Sequence, residues 1–204
     1  MEIIPAVLAK TESELAEIKN KLGWYSGPLH IDIADGQFVP TLTVGREEIE
    51  KYFPKQILDV HLMVANPADV IPLWLDMPNV RTIIFHIEAT DKAPEIIDTI
   101  HQAGKKVGIA INPETEAPEL KADVVHFMAV HPGNYGGEFI ESVVGKITDF
   151  HTRHPGVFIS ADGGVTPKNV SILEKAGVSV CIAGSYIQNS EDSEKAFKKL
   201  SEGK

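Results

Sequence analysis

Pro28-Leu29-His30-Ile31-Asp32-Ile33-Ala34-Asp35-Gly36 carries two patterns at once. Its apolar, β-branched centre predicts a strand over about 28–33, and the glycine after it signals a turn. His30 and Asp32 stand two residues apart, so on a strand both side chains leave the same face. The same spacing recurs in later apolar runs, as Asp59 with His61 and as His86 with Glu88. Charged groups do not belong between a sheet and its covering helices. They are expected to point inward, at the carboxyl-terminal rim of a barrel, where sites are built from several strands at once.

Working outward from this stretch, further strands are expected at about 2–8, 57–62, 82–87, 106–111, 123–128, 157–161 and 179–183. Amphipathic segments separate them at about 12–22, 45–53, 67–76, 92–103, 115–120, 138–152, 167–176 and 191–201. Thr11 and Glu14 form a capping-box pattern, and Gly23 follows as a stop. Asn66-Pro67 and Thr166-Pro167 each place a cap residue before a proline suited to the first helical turn. Gly104 and Gly177 end two later helices. Eight β-α units in 204 residues predict an α/β fold, a single-domain (β/α)8 TIM barrel over residues 1–204. The rival, an open doubly wound sheet, usually needs fewer strands.

Composition narrows the function. The formal net charge of −10 argues against a nucleic-acid or acidic-membrane partner. Apolar runs such as Ile3 to Ala9 fall short of the roughly 20 residues that span a bilayer. The single Cys181 allows no internal disulfide, and no signal peptide is expected, so the cytoplasm is the expected location. Imidazoles and carboxylates converging at one rim either hold a metal or form a costly unpaired cluster. Asp162, just past the seventh strand, joins them. Spacing alone leaves His86 and Glu88 as possible ligands too. Asp162-Gly163-Gly164 and Ala183-Gly184-Ser185 follow strands seven and eight, the corner where such barrels often hold a phosphate. The glycine-rich run His131 to Gly137 is a candidate lid.

The chain resembles the ribulose-phosphate 3-epimerase family from Pro5 to about Ser185. The resemblance rests on His30 to Pro40, Asp59 to Val64, Phe85 to Ala89, Pro132-Gly133 with Gly136, Asp162 to Gly164 and Ala183 to Ser185, in the family's order. It implies a (β/α)8 barrel that interconverts D-ribulose 5-phosphate and D-xylulose 5-phosphate by inverting C3. It further implies one divalent metal on His30, Asp32, His61 and Asp162, with Asp32 and Asp162 as the two proton-transfer groups. His61, Gly133, Asn134, Tyr135, Gly136, Gly163, Gly164, Gly184 and Ser185 match segments that contact substrate. Mixed nitrogen and oxygen ligation suits zinc, iron(II), cobalt or manganese. The expected partners are a small sugar phosphate and further copies of the chain in a homo-oligomer.

Departures from the family pattern cluster around the substrate. Ala6 stands where a substrate-contacting serine is usual, Ala34 replaces a methionine, and Tyr135 a glycine; His131 is unusual as well. The alternatives left open are an epimerase of another ketose phosphate, such as a ketohexose 6-phosphate, a catalytically silent sugar-phosphate-binding barrel, and a metal-dependent aldolase or hydrolase on the same fold. A related group of decarboxylases carries Asp-x-Lys-x-x-Asp at a strand end. Here Asp32 is followed by Ala34 and Asp35 with no lysine, which disfavours that chemistry.

Overall fold

The computed structural model describes residues 1–119, 121–133 and 136–203. Eight strands close into a parallel barrel in chain order: β1 (Glu2–Val7), β2 (Leu29–Ala34), β3 (Leu58–Met63), β4 (Val80–His86), β5 (Lys106–Ile111), β6 (Val124–Met128), β7 (Phe158–Asp162) and β8 (Val180–Ala183). β1 pairs with β8 through Ile3 with Cys181, which closes the ring. Each expected strand is present, with its ends shifted by no more than about two residues. Strand residues are buried on both faces, as a parallel sheet under helices requires.

The outer layer contains α1 (Glu12–Lys21), α2 (Arg46–Tyr52), α3 (Pro67–Val70), α4 (Pro72–Leu75), α5 (Ala93–Gln102), α6 (Ser142–Arg153), α7 (Val170–Lys175), α8 (Ser185–Gln188) and α9 (Ser193–Glu202). Thr11 caps α1 by accepting the Glu14 N–H, while the Glu14 carboxylate accepts from the Lys10 N–H one residue outside the usual box. Gly104 and Gly177 follow α5 and α7 with positive φ. None of the helices among the described residues is long and apolar enough to cross a membrane.

Four helix expectations are corrected. No helix forms among the described residues at 115–120; Pro118 disfavours helical backbone at Ala117 before it. The segment leads instead along α6, where the Glu119 carboxylate accepts from Arg153 Nη1 and lies 3.0 Å from His154 Nε2. The helix expected over 67–76 breaks at Ile71, because Pro72 has no N–H to continue it. Residues 138–140 precede α6 without joining it, since the Ile140 N–H is taken by the Ala129 carbonyl at the end of β6. Thr166 does not cap α7; it belongs to a turn in which its N–H donates to Asn169 Oδ1, and Asn169 is the cap residue.

Candidate metal and acid–base site

Inward-facing residues decide what the barrel holds. In register, His30 on β2 lies beside Asp59 on β3, and Asp32 beside His61. Asp59 is therefore one layer below His61, at the amino-terminal mouth, not at the rim where its spacing with His61 had placed it. There it accepts a two-pronged contact from the Arg81 guanidinium. It is a structural ion pair and takes no part in the site.

Above it the polar residues converge. His61 Nδ1 lies 3.0 Å from Asp32 Oδ1 and 3.9 Å from Asp162 Oδ2. His30 Nε2 lies 3.4 Å from Asp32 Oδ1 and 3.8 Å from Asp162 Oδ2. The carboxylates thus bracket the same two imidazole nitrogens, from β2 and β7, with β1 and β8 between those strands. Burial opposes ionisation of Asp32, but its close contacts with the His30 and His61 rings outweigh it and hold its carboxyl far below the usual range. His61 is pushed down to about 3 by burial, so its ring is neutral.

His86 and Glu88 occupy a second tier. His61 Nε2 lies 2.9 Å from His86 Nε2, and His86 Nδ1 lies 3.3 Å from Glu88 Oε2. Burial raises the Glu88 pKa, yet the contacts with His86, Thr115 and the Asn112 N–H prevail and bring it to about 2. An ionised Glu88 can only accept. The proton arrangement that satisfies this chain with neutral rings has His86 Nδ1–H donating to Glu88 and His61 Nε2–H donating to His86. That leaves the lone pair of His61 Nδ1 facing ionised Asp32, an arrangement that calls for a cation between them. Second-tier chains of this kind orient metal-binding histidines.

Two further observations fit a cation. Both ring nitrogens of His30 are buried without a hydrogen bond, and so is Nε2 of His126. His30, His61, His126 and Asp162 each offer a ligand atom, all within 4.8 Å of one another. Asp32 flanks this group through its contacts with His61 and His30. His126 lies outside the residues expected from the sequence. On β6 its same-face neighbours are Val124 and Met128, so no polar pair marks it. A histidine in phase with the inward face of a strand is the signal that could have found it.

A cleft opens over these residues. Asp32 and Asp162 line its floor. Gly133, Gly136, Gly163, Gly164, Gly184 and Ser185 form its wall. Gly163 has φ +102°, and a Cβ there would lie 2.3 Å from Val130 Cγ2. The tight turn after Asp162 thus requires glycine both for its backbone angle and for space. Asn134 and Tyr135, expected to contact substrate, lie outside the described residues.

Comparison with known proteins settles the kinship. The sequence profile of the Ribulose-phosphate 3 epimerase family matches residues 1–188. The chain belongs to this family. A ribulose-phosphate 3-epimerase of Schizosaccharomyces pombe is 32% identical over 210 residues, covering 98% of this chain and 92% of that one. The Bacillus subtilis protein of the same name is 30% identical, with 98% of each chain covered. That name denotes an isomerase acting on a carbohydrate. A solved 3-hexulose-6-phosphate synthase superposes with a TM-score of 0.68 at 17% identity, covering 100% of this chain and 99% of that one. At that identity the likeness shows the barrel alone.

Proposed function

We propose that this protein is a metal-dependent epimerase that inverts C3 of a ketopentose 5-phosphate, D-ribulose 5-phosphate to D-xylulose 5-phosphate. The observation that carries this reading is the pair Asp32 and Asp162 at the cleft floor, both within 4 Å of His30 Nε2 and His61 Nδ1. Inverting a carbon next to a ketone needs one group to remove a proton and a second to return one to the other face. Asp32, held ionised, suits the first task, and Asp162 from β7 approaches from a different wall. His30, Asp32, His61 and Asp162 would hold the ion; bound there, it supplies positive charge against the enediolate oxygens formed when C3 is deprotonated. Gly163, Gly164, Gly184 and Ser185 turn the backbone toward the cleft, which supports them as the phosphate-contacting corner.

The decisive experiment follows the C3 proton of ribulose 5-phosphate in deuterated water with the metal-loaded protein. Exchange together with xylulose 5-phosphate formation is expected. Ligand binding with neither exchange nor product would overturn the reading in favour of a silent binding barrel. One observation favours a second reading: Ala6 puts a methyl group on the cleft wall. That leaves more room than the serine expected there and supports a longer sugar, such as a ketohexose 6-phosphate. The same exchange assay on that sugar separates the two.

The second tier is testable through metal affinity. Glu88→Gln removes the anionic acceptor that fixes the His86 and His61 tautomers. Competition with a chromophoric chelator is expected to show affinity lower by about 10- to 100-fold, with the barrel still folded.

A further inference from the structure

Four of the eight histidines in the sequence, His30, His61, His86 and His126, meet inside the barrel. The family resemblance accounts for His30 and His61, and His86 serves as the partner of His61. His126 has no role in that scheme. Its ring is fully buried, stacked on His30 with centroids 5.2 Å apart and tilted against His61 at 4.8 Å. Nδ1 lies 2.8 Å from Ser160 Oγ. Nε2 has no hydrogen-bond partner and is aimed at the site, 3.6 Å from Asp162 Oδ2. A histidine kept for packing would satisfy both nitrogens, because a buried polar atom left without a partner forfeits its hydration for nothing in return.

We propose that His126 Nε2 is a further protein ligand of the ion, joining His30, Asp32, His61 and Asp162. Ser160 accepts the Nδ1–H, which fixes the tautomer and leaves the Nε2 lone pair free, as outer partners of ligating imidazoles do. The donor set then holds three imidazoles and two carboxylates instead of two of each. Nitrogen-rich ligation shifts preference toward zinc and cobalt(II) and away from manganese(II), which favours oxygen donors. This inference rests on the metal reading of the site and is independent of which sugar is the substrate.

The test loads the metal-free protein with cobalt(II), and separately with manganese(II). Hyperfine-shifted proton spectra of the cobalt-loaded wild type are expected to show three imidazole ring N–H signals. His126→Leu is expected to remove one of them, alter the visible cobalt absorption and weaken cobalt binding by about 100-fold. Manganese affinity should change little, and Ser160→Ala should weaken cobalt binding by about 10-fold. Two ring N–H signals in the wild type, or unchanged cobalt affinity and absorption in His126→Leu, would reduce His126 to a core residue. Should His126→Leu fail to fold, the wild-type signal count decides alone. If the wild type binds neither ion, the metal reading itself falls, and this inference with it.

Discussion

Asp162→Asn is expected to cut epimerisation by about 10²- to 10⁴-fold, the range over which one positioned acid or base contributes. Asp32→Asn should do the same, since inversion by two groups fails when either is lost. Asparagine keeps the shape of each side chain but cannot carry the proton. The informative readout is exchange of the C3 proton with deuterated water, measured from each epimer separately. An enzyme with one group per face should keep exchange in only one epimer after one substitution, and in the other epimer after the second. Metal content measured alongside separates loss of a ligand from loss of the proton carrier. Equal loss of exchange from both epimers, with metal content intact, would mean that a single group serves both faces.

Gly163→Ala is expected to damage stability and rate together. The backbone there has φ +102°, and the added methyl would meet Val130 Cγ2 at 2.3 Å. Strain of about 1–3 kcal/mol from the backbone adds to about 1–3 kcal/mol of overpacking. For a chain of this size each kcal/mol lowers Tm by roughly 2–4 °C. Asp162 is the adjacent residue, so relief of the clash moves the proposed proton-transfer group, and a displacement of about 1 Å can cost about 10² in rate. Val130→Ala in the same chain should recover the packing share of the stability loss and leave the backbone share. Thermal unfolding of the single and double variants measures both.

Much of this architecture was legible in the sequence because parallel barrel strands are buried on both faces. Runs such as Ile109-Ala110-Ile111 and Val60-His61-Leu62 stand out against the polar segments between them. Helix ends were legible where local chemistry sets them, as at Thr11, Asn66, Gly104 and Gly177. They were misplaced where long-range contact or proline overrides amphipathic pattern. The 138–140 segment is drawn onto β6 by a backbone hydrogen bond, and Pro72 and Pro118 interrupt helices that charge and apolar spacing had favoured. Asp59 and His61 show the limit of strand spacing. It assigns a shared face, but not the height along the barrel axis at which each residue sits.

The quartet of His30, Asp32, His61 and Asp162 divides along the same line. Sequence alone determined the strand order, the phase of His30, Asp32 and His61 on their strands, and the family motif that includes Asp162. These depend on periods of two along single strands and on residues close in the chain. Only the tertiary structure decided which of them meet. It sent Asp59 to Arg81 at the far mouth, placed His86 and Glu88 behind His61, and brought His126 up against Asp162. The physical reason is ring closure: pairing β1 with β8 brings β2 and β7 around to one another. Side chains 132 residues apart in the chain, His30 and Asp162, then come within 3.8 Å.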